Sequence, residues 1–225
     1  MKDNALRFKE VEGSRTFKNI CNKFELNRKS VLDVGCGYGQ YLRAFGSGSV
    51  GITTAETEVI FGKEHNLNIK LGNAERLDSS IGSNFKAIWA NNIFEHLLSP
   101  HAFLMNLKKF SDKEAIVIIG VPVVPWFVSL MNLKWWRGPL ASNHVNFFTY
   151  KTVELTIKFA GWSPKETRPF IFKNKFLDKL VRPFAPHMYV VAENNHNFKY
   201  PPKKIHEWIG DEHYYDLLRI TGQNN

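Results

Sequence analysis

An aspartate followed by three glycines at alternating positions is the part of the sequence best suited to chemistry. The stretch VLDVGCGYGQ places Asp33 before Gly35, Gly37 and Gly39. Glycine lets a backbone approach a ligand closely and adopt a positive φ. In an open α/β sheet, a turn of this kind after a buried strand lies at the carboxyl ends of the strands, where ligands bind. We therefore predict a ligand-binding turn here.

The spacing of the glycines and the acid separate two classes of ligand. A dinucleotide fingerprint has the form G-x-G-x-x-G and holds a pyrophosphate at a helix N-terminus. Here the pattern is G-C-G-Y-G, and Gln40 takes the place of the third glycine of that fingerprint. The carboxylate of Asp33 would repel a pyrophosphate but attract a cationic amino-acid group. The turn therefore favours a ligand that carries an ammonium group.

Short apolar runs alternate with helical patterns along the chain. We predict strands at residues 30–34, 50–53, 68–71, 85–90, 114–121 and 188–192. We predict helices at 4–26, 40–45 and 56–65, after Ser99 and Pro100, and between Thr149 and Gly161. Strands that alternate with helices indicate a doubly wound α/β fold with a mostly parallel sheet.

Several stretches, in the same order, resemble the class I S-adenosylmethionine-dependent methyltransferases. VLDVGCGYGQYL is similar to the family's first motif, SVGITTAETEV to its second strand and ribose loop, and LGNAERL to its stretch near adenine. FKAIWANNIFEHLLSP is similar to the fourth strand and its loop, and HVNFFTYKTVELTIKFAGW to a stretch of many small-molecule methyltransferases. The resemblance covers roughly residues 30–192, and the chain is similar to the small-molecule O-methyltransferases of the ubiquinone-pathway-like and sugar types. It implies a Rossmann-like fold with a seven-stranded sheet and S-adenosylmethionine as cofactor.

The same resemblance implies roles in binding the cofactor. Asp33, Gly35 and Gly37 would hold its methionine part, and Gly39 would shape the turn. The backbone groups of such a turn, together with a carboxylate, satisfy both charged ends of an amino acid. Asn91, at the end of the fourth strand, would lie beside the cofactor.

Two positions depart from the family pattern. Thr53 stands where an acid usually takes both ribose hydroxyls, and Glu56 could reach in to complete that contact. Glu56 is equally a first-turn acid favoured by the helix dipole. Asn73, followed by Ala74, stands where the family often has an acid near the adenine amino group. The amide oxygen of Asn73 can still accept that hydrogen bond.

The loop after the fourth strand carries candidate catalytic groups. Ubiquinone-pathway members bind a metal through E-x-x-E-H, but here Asn92 replaces the first acid, so only Glu95 and His96 remain. A hard cation prefers more carboxylates, so we predict no metal. Imidazole changes protonation near neutral pH, which makes His96 a candidate general base and His144 a second one. A purely structural role for each histidine stays open.

Residues 122–148 form an aromatic-rich insertion predicted after the fifth strand. Aromatic faces stack on sugars or flat rings, and an arginine pairs with a phosphate or a carboxylate. The residues predicted to bind the acceptor are Trp126, Trp135, Trp136 and Arg137. A hydrophobic cap or a dimer face is the alternative interpretation of this segment.

Composition bounds the partners and the compartment. The chain has 225 residues and a formal net charge of +9, which favours anionic partners. The sequence contains no tight run of lysines and arginines, so we do not expect nucleic acid to be a partner. Cys21 and Cys36 are too few for a disulfide framework and suit a reducing cytosol. The charged N-terminus lacks a signal-peptide core, so we expect a cytoplasmic protein. The aromatic 126–136 stretch with basic charge leaves a peripheral membrane contact open.

Together these observations predict methyl transfer from S-adenosylmethionine to an oxygen of a small molecule. Sugars or surface-glycan precursors come first, on resemblance, and quinone-like rings second. There are two alternatives. The net charge suggests an RNA methyltransferase, and the departures at Thr53 and Asn73 suggest a non-catalytic partner subunit. The predicted organisation is an N-terminal helix (1–29), a methyltransferase domain (30–192) with a substrate-side lid (122–148), and a C-terminal tail (193–225).

Overall fold

A computed structural model describes residues 2–125, 144–208 and 221–222 of the chain. Within these ranges one seven-stranded sheet has the order β3-β2-β1-β4-β5-β7-β6. Its strands are β1 (Val31–Val34), β2 (Val50–Thr53), β3 (Ile69–Leu71), β4 (Phe85–Asn91), β5 (Ser111–Pro122), β6 (Trp162–Arg168) and β7 (His187–Asn194). The six predicted strands are confirmed, and β6 is the strand that was not predicted.

The sheet is mixed, and this corrects the predicted mostly parallel arrangement. Strands β1 to β5 pair in parallel with one another, whereas β7 pairs antiparallel with both β5 and β6. The unpredicted strand β6 lies at the edge of the sheet and contains Pro164, where the pairing register shifts. An edge position tolerates a proline because one side of the strand donates no ladder hydrogen bonds.

Both faces of the sheet are buried, as the short apolar strands predict. On one face, the helices over Pro100–Leu107 and Tyr150–Phe159 cover side chains that alternate along the central strands, among them Leu32, Val34, Ile88, Ala90, Val117 and Ile119. On the other face, the helix over Arg15–Lys23 covers the intervening side chains, among them Val31, Ala87, Trp89, Ile118, Tyr189 and Val191. The strands β1, β4, β5 and β7 therefore each contribute to two cores.

Seven helices accompany the sheet in the described residues. They are α1 (Lys2–Gly13), α2 (Arg15–Lys23), α3 (Glu56–Glu64), α4 (Pro100–Leu107), α5 (Tyr150–Phe159), α6 (Lys175–Val181) and α7 (Pro202–Glu207). The predicted caps are confirmed. The Ser99 hydroxyl accepts from the backbone N–H of Ala102 at 3.3 Å, and Thr149 and Thr152 form a reciprocal capping box.

Two predicted helices are wrong in their extent. The single helix expected over 4–26 is broken between Gly13 and Arg15, where the Ser14 hydroxyl accepts from the N–H of Phe17 at 3.2 Å and starts a new helix. Only a single 3₁₀ turn, Leu42–Ala44, forms where a helix was predicted after the glycines.

The predicted insertion falls mostly outside the described residues, because 126–143 are not among them. In the parts of the chain that the structure describes, no helix has both the length and the apolar character needed to cross a membrane. Cys21 and Cys36 are both buried free thiols.

Candidate functional site

The glycine turn is fixed to the end of the neighbouring strand. The N–H groups of Gly35 and Cys36 both donate to the carbonyl of Ile52 in β2, at 2.9 and 3.0 Å. Gly35, Gly37 and Gly39 adopt φ of 73°, 55° and 81°, the left-handed region that side chains disfavour. The turn therefore has the conformation that the glycine spacing predicts.

The glycines differ in what surrounds them. A Cβ on Gly35 would lie 2.8 Å from Cδ1 of Ile93, so packing of the protein itself excludes a side chain there. A Cβ on Gly37 would meet only the flexible ends of Gln40 and Glu58, at 3.3 and 3.8 Å. Gly37 is thus the glycine of the turn whose nearest neighbours are flexible polar side chains, whereas Gly35 and Gly39 face apolar side chains.

Asp33 is a buried acid with an unused hydrogen-bond acceptor. It is 1 % exposed, and its Oδ2 atom has no hydrogen-bond partner among the described residues. Burial raises the pKa of its carboxyl to about 8. A buried carboxylate that lacks a partner is costly, and a cationic ligand group would remove that cost. Asp33 therefore has the chemistry expected for a partner of an ammonium group.

Tyr41 is a neighbour of this site that the sequence reasoning missed. Its hydroxyl accepts from Nδ2 of Asn91 at 3.1 Å, and its ring packs on Trp89 with centroids 5.1 Å apart. Burial, and next the charge of Asp33, raise the pKa of Tyr41 to about 12, so the phenol stays protonated. Oδ1 of Asn91 is buried and has no partner within the described chain. Tyr41 thus orients the amide of Asn91 at the end of β4.

The acid in contact with Thr53, the last residue of β2, is Glu58 of α3, while the ribose contact predicted for Glu56 stays a prediction. The carboxylate of Glu58 accepts a short hydrogen bond from the hydroxyl of Thr53, while Glu56 is exposed to solvent. The Thr53 hydroxyl also accepts from the N–H of Ala55 at 3.2 Å. The ribose role assigned to Thr53 stays a prediction, and the structure places Glu58 beside it.

Asn73 caps a short turn at the end of β3. Its side-chain oxygen accepts from the N–H of Glu75 at 2.8 Å, and the next residue, Ala74, is buried. An amide oxygen has two lone pairs, so one acceptor position of Asn73 is left for a ligand. The predicted adenine contact stays a prediction.

The two candidate histidines lie together around one buried carboxylate. Oε1 of Glu95 is 3.8 Å from Nε2 of His96 and 3.9 Å from Nε2 of His144, distances of ion pairs rather than of hydrogen bonds. The two imidazole rings meet edge to face, with centroids 4.9 Å apart. Burial is the main cause of the raised pKa of Glu95, against which its backbone hydrogen bond and both histidines act.

Backbone hydrogen bonds hold the two halves of this cluster together. The N–H groups of Val145 and Asn146 both donate to the carbonyl of Glu95 at 3.0 Å. The side chain of Asn146 donates to the carbonyl of Leu97 at 2.5 Å. Although about fifty positions separate them in the sequence, Glu95 and His144 are therefore fixed neighbours.

The cluster also has a donor set that can bind a metal. One ligand atom each of Glu95, His96 and His144 all lie within 4.8 Å of one another. Two imidazoles and a carboxylate are a common ligand set for zinc. From the sequence we recognised only Glu95 and His96 as ligands and predicted that no metal binds here. The absence of a metal stays a prediction.

His187 is a further polar group at the same end of the sheet that the sequence did not indicate. Its Nε2 is 2.8 Å from Oδ1 of Asn92, a residue with φ of 55° that follows β4. Burial lowers the pKa of His187 to about 4, so the neutral ring donates this hydrogen bond. The four predicted acceptor residues, Trp126, Trp135, Trp136 and Arg137, lie outside the described residues.

Comparison with known proteins identifies the family. The model of a methyltransferase domain family matches residues 12–166. The chain belongs to this methyltransferase family. A sequence search of curated proteins finds no match.

Solved methyltransferases share the fold at low sequence identity. One from Haloferax volcanii, in complex with the Trm112 methyltransferase activator, is 14 % identical with a TM-score of 0.61 and covers 87 % of this chain and 96 % of its own. An S-adenosylmethionine-dependent enzyme from Mesorhizobium loti is 12 % identical with a TM-score of 0.60, covering 82 % and 100 %. The magnesium protoporphyrin IX methyltransferase of Synechocystis, with bound SAH, is 13 % identical with a TM-score of 0.57, covering 86 % of each chain.

This methyltransferase therefore uses S-adenosylmethionine as its cofactor. The residues present fit that group. Asp33 offers a buried acceptor that has no partner among the described residues, and the nearest atoms to Gly37 are the ends of the flexible Gln40 and Glu58 side chains. The predictions of a methyltransferase and of its cofactor are confirmed.

Proposed function

We propose that this enzyme transfers the methyl group to a hydroxyl oxygen of a small molecule, with sugars and surface-glycan precursors as first candidates. The observation that carries the proposal is the pair of imidazoles around the buried carboxylate of Glu95. A hydroxyl is a weak nucleophile, and its methylation benefits from a group that removes its proton. The choice of sugars rests on the resemblance of the sequence motifs.

The residues that we propose to bind the cofactor lie at the same end of the sheet as the two histidines. Asp33 pairs with the ammonium group of the cofactor, and the backbone around Gly37 contacts its methionine part. Thr53 and Glu58 take the ribose hydroxyls, and the support for this is the hydrogen bond that already joins them. Bound there, S-adenosylmethionine supplies an electrophilic methyl group.

His96 is the proposed general base. Its side chain is 37 % exposed, so an acceptor can reach it, whereas that of His144 is 8 % exposed. His96 takes the hydroxyl proton as the oxygen attacks, and the buried carboxylate of Glu95 stabilises the imidazolium that forms. The proton then leaves to solvent. His144 completes the cluster, and the small part of its ring that is exposed helps to orient the acceptor beside His96.

A comparison of histidine variants tests this mechanism. We expect His96→Ala to lower turnover about 10²–10⁴-fold, the usual contribution of a general base, with little change in cofactor affinity. His144→Ala should mainly raise the KM for the acceptor. The assay is detection of the methylated product by mass spectrometry over a panel of sugars and hydroxylated rings, with calorimetry for cofactor binding. Unchanged turnover in His96→Ala would remove the base from the mechanism.

A metal-assisted transfer is the second candidate, and the donor set of Glu95, His96 and His144 favours it. A bound cation would lower the pKa of the acceptor hydroxyl directly. Dialysis against a chelator separates the two mechanisms. Activity that survives supports the histidine base, whereas activity that is lost and then restored by zinc or magnesium supports the metal.

A further inference from the structure

The helix α6 presents apolar side chains to solvent. Phe176, Leu177 and Leu180 are 65 %, 41 % and 57 % exposed, and Phe184 just beyond the helix is 63 % exposed. Phe176 and Leu180 are four residues apart and so share one side of the helix. Single exposed apolar residues are ordinary, but a cluster in one short segment marks an interaction surface.

A buried ion pair holds α6 in this orientation. Asp178, the acid of the helix, is fully buried and accepts from Nη1 of Arg168 at 2.5 Å and from the N–H of Phe172 at 3.0 Å. Asp178 lies two residues from both Phe176 and Leu180, so it points to the opposite side. The helix thus turns its acid inward and its apolar residues outward, the reverse of an ordinary surface helix.

The exposed charged side chains of residues 173–181 are cations, and one of them, Lys175, pairs with the half-buried carboxylate of Glu166 at 3.0 Å. Lys173 and Lys179 are exposed on either side of the phenylalanine. A neighbouring cavity of about 450 Å³ is lined by Lys151, Lys179 and Arg182, and none of the described residues that line it is acidic. Three cations around one cavity suit a phosphate group.

This surface adjoins the proposed acceptor side of the enzyme. The segment after α6 leads into β7, and the carbonyl of Pro186 accepts from the N–H of Val123 at 2.9 Å. The first residue of β7, His187, contacts Asn92 at the end of β4. The apolar residues and the candidate site therefore lie at the same end of the sheet.

We propose that α6 docks this enzyme onto an anionic membrane surface. Phe176, Leu177 and Leu180 insert at the boundary of headgroups and acyl chains, about 5–10 Å deep, and the surrounding cations contact lipid phosphates. Charge favours this occupant over a second copy of the chain. A symmetric contact would bring Lys173 and Lys179 of both copies together, and like charges at an interface are unfavourable.

Vesicle flotation of the full chain tests the proposal. We expect binding to vesicles of phosphatidylcholine with about one-third phosphatidylglycerol, and loss of binding at high salt. Phe176→Ser/Leu180→Ser should lower the partition coefficient at least about tenfold, because two apolar insertions are removed. Lys173→Gln/Lys179→Gln should lower it about 25-fold, since each cation near an anionic surface contributes about fivefold.

Matched variants elsewhere on the surface provide the controls. Phe159 is 58 % exposed on α5, and Lys113 and Lys158 are exposed on other elements. Phe159→Ser and Lys113→Gln/Lys158→Gln should bind vesicles as the wild type does, and all variants should keep wild-type cofactor affinity in calorimetry. Cofactor affinity measured in this way distinguishes a failure of the membrane proposal from a failure of the proposed function, on whose acceptor side this surface lies.

Three results would overturn the proposal. They are absence of wild-type binding to anionic vesicles, equal loss of binding in the control variants, and retention of binding in Phe176→Ser/Leu180→Ser. A dimer in analytical ultracentrifugation that Phe176→Ser/Leu180→Ser dissolves, without vesicle binding, would instead assign the surface to self-association. Binding to a single-stranded RNA but not to vesicles would assign it to nucleic acid.

Discussion

The two acids beside the glycine turn differ in their hydrogen bonding, and this decides what each can bind. Asp33 is buried, and its Oδ2 has no partner in the part of the chain that the structure describes, so it suits a cation. Glu58 is half-buried and already accepts from the Thr53 hydroxyl, so it suits further hydroxyl donors. A ligand with an ammonium group and a sugar diol would satisfy both. S-adenosylmethionine has these two features.

Glu58→Gln tests the ribose contact at this scale. The change removes the negative charge and one acceptor while it keeps the shape of the side chain. We expect the affinity for S-adenosylmethionine to fall about tenfold, because hydrogen bonds to charged groups contribute about 1.5–3 kcal/mol. Calorimetry measures the change.

Glu56→Gln is the matched control, since Glu56 begins the same helix but is exposed. The affinity of this variant for S-adenosylmethionine should stay within about twofold of that of the wild type, as expected when a solvated surface charge is removed. Equal losses in the two variants would show a general effect of charge rather than a contact made by Glu58.

The sequence could predict Asp33 but not Glu58, for a physical reason. Asp33 sits in a strand, where the buried apolar neighbours and the following glycines fix its surroundings. Glu56 and Glu58 both lie in the first turn of α3, where two residues differ by about 200° around the axis. Only the rotation of α3 against β2 decides which acid meets Thr53, and that rotation depends on packing of distant residues such as Ile69 against Gly62.

At the scale of elements, the end of β5 supports the site through a close backbone contact. Gly120 pairs with Asn91 in β4 and with Tyr189 in β7. A Cβ on Gly120 would lie 2.1 Å from Oδ1 of Asn91 and 2.5 Å from Cε1 of Tyr189. The glycine that interrupts the apolar run of β5 therefore leaves room for the side chains of two neighbouring strands.

Gly120→Ala should disturb both stability and cofactor binding. We expect the free energy of unfolding to fall by about 1–3 kcal/mol, the usual cost of overpacking. We also expect weaker cofactor affinity, because the added methyl group displaces Asn91. Chemical denaturation and calorimetry measure the two effects.

Gly13→Ala is the control for this substitution. No atom of the described residues lies within 4 Å of a Cβ at Gly13, and the φ of Gly13 is not in the left-handed region. We expect a change of less than about 1 kcal/mol and no change in cofactor affinity. A stable Gly120→Ala protein with normal affinity would contradict the role given to the end of β5.

Elements with strong local signals were predictable, and those set by tertiary pairing were not. The apolar runs of β1, β2, β4 and β5 and the caps Ser99 and Thr149 are local signals, and the structure confirms them. Strand β6 reads WSPKETR, in which a proline and charged residues hide the pattern, and it forms because β7 offers a partner edge. The helix expected over 4–26 breaks at Ser14 because a hydroxyl cap competes with continued helix.

At the scale of the whole molecule, the sheet brings groups from distant parts of the chain to one end. Asp33, Thr53 and Asn91 lie at the carboxyl ends of three parallel strands, and Glu95 follows the third of them, where the sequence predicts the site. The antiparallel position of β7 could not be predicted, because its apolar run resembles that of a buried parallel strand. It brings His187 next to Asn92.

The buried acid at the centre of this arrangement makes the stability of the whole fold depend on pH. Burial raises the pKa of Asp33 from 3.8 to about 8. Between about pH 4 and pH 8 the folded protein holds a proton that the unfolded chain has released, so the contribution of Asp33 to stability falls as pH rises. A bound ammonium group removes this penalty, since it pairs with the carboxylate.

Asp33→Asn abolishes this titration, and we expect two consequences. Without cofactor, we expect the melting temperature of the variant minus that of the wild type to increase by about 5 °C or more between pH 4 and pH 8. This figure takes roughly 2–4 °C of melting temperature for each kcal/mol of unfolding free energy. At pH 8, saturating S-adenosylmethionine should stabilise the wild type but not the variant.

Asp78→Asn is the control. Asp78 is exposed, and hydrogen bonds from Ser80 lower the pKa of its carboxyl, so this substitution should leave the change of melting temperature with pH above pH 4 as it is in the wild type. Parallel pH profiles for Asp33→Asn and the wild type would show that Asp33 is not the group that couples stability to the cofactor.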